Sequence, residues 1–162
     1  MAHGAVADAL AQLRGRVPLV QCLTNIVVAN FTANVLLAAG ASPAMVDNPA
    51  EAAAFARLAG GVLVNLGTPY PDTTQAMAGA AASAAAASVP WVLDPVAAGV
   101  LGWRTGIALE LLAAHHPAIV RGNASEIMAL GGGRGGRGVD ALVGAEQALA
   151  PAAEIATRHA TV

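Results

Sequence analysis

Apolar residues along this chain come in short blocks, each closed by a polar or glycine-bearing corner. Pro18 to Leu23, Val62 to Leu66, Pro90 to Leu93 and Ala118 to Arg121 are mainly apolar stretches of strand length, the pattern of buried strands in a parallel sheet. Ala44-Met45-Val46 is a shorter candidate, ending in Asp47-Asn48. Helical stretches fill the gaps. They run from Ala5 to Leu13, closed by Arg14-Gly15-Arg16; from Ile26 to Ala39, stopped at Gly40; and from Pro49 to Leu58, stopped by Gly60-Gly61. Thr73 to Ser88 is Ala-dense and predicts a helix on intrinsic propensity alone. Thr105 to His115, Asn123 or Ala124 to about Leu130, and Ala141 to His159 with an interruption at Pro151 complete the helices. Ala160-Thr161-Val162 reads as the first residues of a further strand. Strands alternating with helices predict an α/β fold around a mainly parallel sheet, and no internal repeat or linker divides residues 1–162.

In open sheets of this kind ligands bind beyond the carboxyl ends of the strands. The residues that follow the predicted strands are Thr24-Asn25, Asp47-Asn48, Asn65 with Gly67-Thr68, Asp94, and Arg121 with Asn123 and Glu126. Any one of these corners is as well explained by turn formation or helix capping. Together they point to a site on one edge of the sheet. In Ile119 to Glu126 a strand ends at Arg121, Asn123 is placed to cap a helix, and Glu126 falls in its first turn, where negative charge suits the helix dipole. Asp94 and Glu126 are two carboxylates at neighbouring strand ends, able to hold a hydrated Mg²⁺ that keeps most of its waters. Arg121 offers a planar, always-charged fork for phosphate oxygens. The combination suggests phosphoryl transfer, which depends on positioning and charge neutralisation. The alternative is a structural ion pair of Arg121 with Asp94 or Glu126.

Composition narrows the picture. Hydrophobic residues make up 56% of the chain, charged residues 11% and aromatics 3%, so the core is built from Ala, Val, Leu and Ile, and the chain either hides most of its helices or leaves apolar faces for partner subunits. A formal charge of −2 argues against a nucleic-acid footprint. Every Lys/Arg position is Arg, which excludes a Walker A lysine and a Schiff-base lysine. Cys22 is the sole cysteine, so no intrachain disulfide exists, and its place in an apolar strand predicts packing. Met1 to Gly4 shows no signal-peptide pattern, which predicts a cytoplasmic protein. Val17 to Val46 carries no charge, yet Gln21, Thr24, Asn25, Asn30, Thr32, Asn34 and Pro43 argue against a membrane span. Gly133, Gly135 and Gly138 fit G-x-G-x-x-G but follow a helix, so Gly131 to Gly138 reads as a connector. His115-His116 ends a helix before Pro117, where positive charge is favoured.

Several motifs, in order, resemble the hydroxyethylthiazole kinases. They are Pro18-Leu19-Val20-Gln21-Cys22-Leu23-Thr24-Asn25, Asn30-Phe31-Thr32-Ala33-Asn34, and Gly40-Ala41-Ser42-Pro43-Ala44-Met45. Asn65-Leu66-Gly67-Thr68, Leu93-Asp94-Pro95-Val96 and Arg121-Gly122-Asn123-Ala124-Ser125-Glu126 follow, so the resemblance covers about Val17 to Leu130. It implies a ribokinase-like, three-layer αβα fold, C-terminally incomplete here. It also implies ATP-dependent phosphorylation of the hydroxyl of 4-methyl-5-(2-hydroxyethyl)thiazole, a salvage step towards thiamine, by a homotrimer with sites between subunits. Carried over by position, Met45 would contact the thiazole, with Asn25, Val27 and Gly67 lining its pocket. Arg121 would contact ATP phosphates, Asn123 would support that region, and Asp94 and Glu126 would serve Mg²⁺. Ala97 stands where the family usually has Gly. The resemblance places a second ATP-contacting Thr, the anion hole and the catalytic base beyond Val162, so no catalytic residue is assigned. Other ribokinase-like enzymes, such as pyrimidine kinases or nucleotide-repair dehydratases, share the Asn-x-x-Glu corner but not Thr24-Asn25 and Ser42-Pro43-Ala44-Met45. A non-catalytic thiazole-binding or assembly module is the alternative of a different class.

Overall fold

The computed structural model describes residues 2–132 and 144–162. Its strands are β1 (Leu19–Leu23), β2 (Ser42–Ala44), β3 (Gly61–Asn65), β4 (Trp91–Asp94) and β5 (Ile119–Val120). They form one five-stranded sheet in the order β2-β1-β3-β4-β5, every pairing parallel. The helices are α1 (Ala2–Arg16), α2 (Ala29–Ala39), α3 (Ala52–Ala56), α4 (Pro71–Ala86), α5 (Gly102–His115), α6 (Ala124–Leu130) and α7 (Leu149–His159). The α/β class and parallel sheet expected from the sequence are both present.

Strand order reverses at β1. The chain leaves β1 through α2 towards β2, then returns past β1 to β3 and continues outward through α4 and α5. Right-handed crossovers in opposite directions put α2 on one face and α4 with α5 on the other. The two faces differ in content. Leu23, Val62, Val64, Trp91 and Leu93 join α3, α4 and α5 in one buried cluster, which also takes in Leu130 of α6 and Ile155 of α7. The helices contribute Ala52, Ala56, Ala76, Ala80, Ala81, Ala84 and Ala108 to it, so backbones approach closely over small side chains. On the opposite face, Val20, Leu63, Val92 and Ile119 line an apolar groove of about 530 Å³ beside α2. No residue of α2 is buried, and its Phe31, Val35 and Leu37 are exposed. No described helix is long and apolar enough to cross a membrane.

Several boundaries differ from the sequence expectation, each for a local reason. Ile26 to Val28 form a turn, because the Asn25 side-chain Oδ1 accepts the N–H groups of Val27 (3.0 Å) and Val28 (3.1 Å), and α2 begins only at Ala29. The edge strand is Ser42–Ala44 in place of Ala44–Val46, with Pro43 inside it; an edge position tolerates the missing donor. Helix α4 starts at Pro71, ahead of Thr73, because the Thr73 hydroxyl oxygen accepts the Tyr70 N–H (2.9 Å) and proline suits the first helical position. Helix α3 is shorter than Pro49 to Leu58, since Asn48 Oδ1 accepts the Ala50 N–H (2.9 Å) and folds Pro49–Glu51 into a turn. Helix α1 runs through Gly15 to Arg16, and Arg14 reaches the carbonyls of Ala38 and Ala39 at the end of α2. Gly40 caps α2 at φ +104°, and a Cβ there would lie 2.5 Å from Arg14 Cγ, so glycine is required twice over.

At the C-terminal end a 3₁₀ turn (Ala145–Ala148) precedes α7, and Pro151 falls in the helix's first turn, where its missing N–H interrupts nothing. The expected start of this helix at Ala141, and Gly133, Gly135 and Gly138, lie outside the described residues. Ala160–Val162 form no strand, Ala160 being the left-handed cap of α7, but Val162 donates its N–H to the Ala118 carbonyl (3.1 Å) and accepts the Val120 N–H (2.8 Å), which lays this segment along β5.

The close α3–α4 approach has opposite consequences at adjacent positions. At Gly79 an added Cβ meets Ala53 Cβ at 3.5 Å, an ordinary contact, so Gly79→Ala is expected to raise stability by about 0.5–1 kcal/mol through helix propensity. Ala80 is fully buried, and Ala80→Leu is expected to cost about 1–3 kcal/mol by overpacking. Urea denaturation of the two variants measures both.

Candidate active site

The strand order reverses between β1 and its neighbours, and the carboxyl ends on that edge carry buried polar side chains. Asn25 follows β1, Asn65 ends β3 and Asp94 ends β4, and each is more than nine-tenths buried. Register makes Asn65 and Asp94 direct partners across β3 and β4. Their side chains continue the pairing: Asn25 Nδ2 donates to Asn65 Oδ1 (2.8 Å), and Asn65 Nδ2 donates to Asp94 Oδ2 (2.9 Å). Asn65 Oδ1 also accepts the Gly67 N–H (3.0 Å). A Cβ on Gly67 would lie 2.5 Å from Asn25 Nδ2, so glycine here lets the loop press against the asparagine.

Arg121 completes the row. Its Nη1 donates to the same Asp94 Oδ2 at 2.7 Å, while the Arg121 side chain remains 77% exposed. One corner of the guanidinium is therefore tethered and the rest of its fork faces solvent. Among the described residues the donors to Asp94 both go to Oδ2, which leaves Oδ1 as its open oxygen. The Arg121–Asp94 pair foreseen as the structural alternative is thus present, but it uses only part of each group.

Asn123 is the expected N-cap of α6, and with Glu126 it forms a reciprocal capping box: Asn123 Oδ1 accepts the Glu126 N–H (3.0 Å), and Glu126 Oε2 accepts the Asn123 N–H (2.8 Å). Glu126 does more. Its other oxygen, Oε1, accepts the Ala97 N–H at 2.9 Å, so one buried carboxylate ties the β4–α5 loop to the start of α6. Ala97 sits at φ +63°, the left-handed region that favours glycine, and is itself buried. The departure from the family's usual glycine falls on a residue whose backbone lies in the left-handed region, as does that of Gly99 two positions on, and whose N–H is held by Glu126.

These groups surround a cleft of about 440 Å³, lined by Asn25, Asn65, Asp94, Arg121, Asn123 and Glu126 together with Val28, Val96 and Gly122. The structure therefore brings together Asn25, Asp94, Arg121, Asn123 and Glu126 of the residues expected from the sequence. Gly67 packs behind Asn25. Met45 lies just past β2, 40% exposed, and Val27 is 80% exposed on the turn after β1; both stand on the same edge but outside the cleft lining. Asn65 is the residue to which sequence reasoning gave no role. Its signal was its place at the end of a strand in register with Asp94. Among the described residues no cluster of three or more His, Cys, Asp or Glu could hold a metal. The donor set present, the open Asp94 oxygen and the Glu126 carboxylate, fits a hard, hydrated divalent cation that needs few protein ligands.

Residues 10–162 match the model of the hydroxyethylthiazole kinase family. The chain is 56% identical to a hydroxyethylthiazole kinase of Cutibacterium acnes over 97% of its length, and 59% identical to one of Clavibacter sepedonicus over 96%. It spans 57% of the length of each of these curated relatives. Among solved structures it resembles a hydroxyethylthiazole kinase of Pyrococcus horikoshii OT3, with a TM-score of 0.74 and 43% identity over 77% of this chain and 49% of that one. The ribokinase-like fold class implied by the motifs stands with these similarities.

Burial pushes the Cys22 thiol up to about 11, so the reactive thiolate is scarce at neutral pH. Iodoacetamide is expected to leave Cys22 unmodified at pH 7.5 in the folded chain and to label it fully in urea, as read by intact mass. The strain at Ala97 is equally accessible: Ala97→Gly is expected to raise the urea midpoint, by about 0.5–1 kcal/mol net of glycine's entropic cost.

Proposed function

The chain belongs to the hydroxyethylthiazole kinase family, and on that premise we propose that the protein transfers phosphate from ATP to the hydroxyl of 4-methyl-5-(2-hydroxyethyl)thiazole, a salvage step towards thiamine. The observation that carries the proposal is the Asn25–Asn65–Asp94 row, buried and ending on the exposed Arg121, which opens on one cleft with the Glu126 capping box. A pre-positioned cation, an open carboxylate oxygen and a fixed helix corner are what a phosphoryl-transfer site asks of a protein, since little of its catalysis is covalent.

In this reading the free part of the Arg121 fork pairs with ATP phosphate oxygens, and Asp94 holds the guanidinium at the correct angle through one oxygen. Asp94 and Glu126 would hold a hydrated Mg²⁺, which when bound supplies charge neutralisation at the phosphates. Glu126, with one backbone N–H on each oxygen, would act on the ion's water shell through the remaining lone pairs, and Asn123 keeps that carboxylate in place. On the thiazole side Asn25 and Gly67 form the floor. Met45 and Val27 stand exposed beside them, and with Ile26 and Phe31 they offer apolar surface from which a site between subunits of a homotrimer would be built. Such a protein would work in the cytoplasm.

The proposal is tested by calorimetric titration of ATP with Mg²⁺, and separately of the thiazole alcohol, together with a chromatographic assay for thiazole phosphate. Arg121→Ala is expected to weaken ATP binding about 10–100-fold, the cost of a charge-assisted contact, and to leave thiazole binding unchanged. Binding of both ligands without product would favour the non-catalytic binding module. Binding of neither would remove the kinase reading.

A further inference from the structure

Gln21 lies in the middle of β1, fully buried, and is the largest uncharged polar side chain in the core. Its register partner on the edge strand is Ala44, the residue before Met45. From there its carboxamide Nε2 reaches across the end of β2 and donates twice, to the Val46 carbonyl at 2.8 Å and to the Ala52 carbonyl at 3.1 Å. Those two carbonyls mark the beginning and end of the irregular segment that joins β2 to α3. Inside that segment the Asn48 carbonyl accepts the N–H groups of Glu51 (3.1 Å) and Ala52 (2.9 Å), so the loop is compact but is anchored to the sheet by Gln21. The amide oxygen, Oε1, is buried with no donor among the described residues.

A buried amide that leaves its oxygen unsatisfied is costly compared with an apolar side chain of the same size. Packing alone would favour methionine or leucine at this site. The feature that only an amide of this length supplies is a pair of donors aimed at two loop carbonyls.

The geometry assigns Gln21 the role of a positioning residue: its carboxamide pins the Val46–Ala52 loop to β1 and thereby fixes Met45 at the thiazole side of the site. The importance of Met45 rests on the kinase reading; the pinning of the loop does not. Gln21 touches no part of the cleft lined by Asp94 and Arg121, so its influence is confined to one ligand.

The test uses Gln21→Met, which keeps the length and removes both donors. Calorimetry is expected to show thiazole-alcohol binding weakened about tenfold, the equivalent of one to two lost hydrogen bonds, with ATP binding unchanged. Equal weakening of both ligands, or of neither, overturns the assignment. Backbone hydrogen exchange over Val46–Ala52 is expected to accelerate in the variant while β3 and β4 keep their protection; unchanged loop exchange overturns it as well. Should Gln21→Met not fold, the wild-type Gln21 side-chain amide protons, read by ¹⁵N NMR, are expected to exchange slowly, and rapid exchange overturns the pinning. Wild-type chain that binds neither ligand would count against the kinase reading alone, and the loop assignment would then be decided by the exchange measurements.

Discussion

The hydrogen bond from Asn65 to Asp94 is the contact on which the rest of the site depends. Parallel register sets the two residues side by side at the ends of β3 and β4, both buried, in a setting where an unpaired polar group is costly. An asparagine meets both demands made on this position. Its oxygen accepts from Asn25 and from Gly67, and its nitrogen donates to Asp94, so one side chain spans three strand ends without introducing charge. A carboxylate there would repel Asp94, and an apolar residue would leave Asn25 and Asp94 each short of a partner. Because Asn65 and Arg121 share Asp94 Oδ2, the carboxylate is oriented with its other oxygen open, and the exposed guanidinium is aimed without being consumed.

A second constraint comes from Glu126. Each oxygen of its carboxylate accepts one backbone N–H, the two coming from different loops, which sets the distance between the β4–α5 and β5–α6 corners. The cost of that clamp appears at Ala97, whose backbone is held in the left-handed region while its N–H serves Glu126. The helical layer beneath makes the precision possible. Alanines on α3, α4 and α5 let the helices approach the sheet and one another closely, so a core with few aromatics still encloses Trp91 and Met77 completely. The opposite face is built differently: α2 buries none of its residues and an apolar groove stays open beside it. A charge-poor composition therefore resolves into one closed face and one face that presents apolar surface.

Much of this architecture was legible in the residue pattern. Mainly apolar runs bounded by Gly, Asn and Asp gave five strands and their alternation with helices, because one face of the sheet is buried and the other lines an apolar groove, so the strands show no alternating polar side. The Asn123 cap and the first-turn place of Glu126 were readable from the chain, since capping is local to a few residues. Boundaries were less secure wherever a side chain competed with the backbone. Asn25 delayed α2 and Asn48 shortened α3 through hydrogen bonds that no propensity records. Pro43 fell just ahead of the strand expected at Ala44 to Val46 and lies inside the observed one, because only the sheet reveals that β2 is an edge.

The sequence by itself determined the fold class, the family motifs and the collection of Asn25, Asp94, Arg121, Asn123 and Glu126 at strand ends, all of which follow from order and local chemistry along the chain. The tertiary structure alone decided what those residues are to one another. That Asn65 bridges Asn25 to Asp94, that Arg121 shares an Asp94 oxygen with it, that Glu126 reaches back to Ala97 and that Gln21 holds the loop beyond Met45 are contacts between residues 25 to 40 positions apart. Such contacts depend on strand order and register, and these are fixed by how the whole sheet buries its faces, a property that no short stretch of sequence carries.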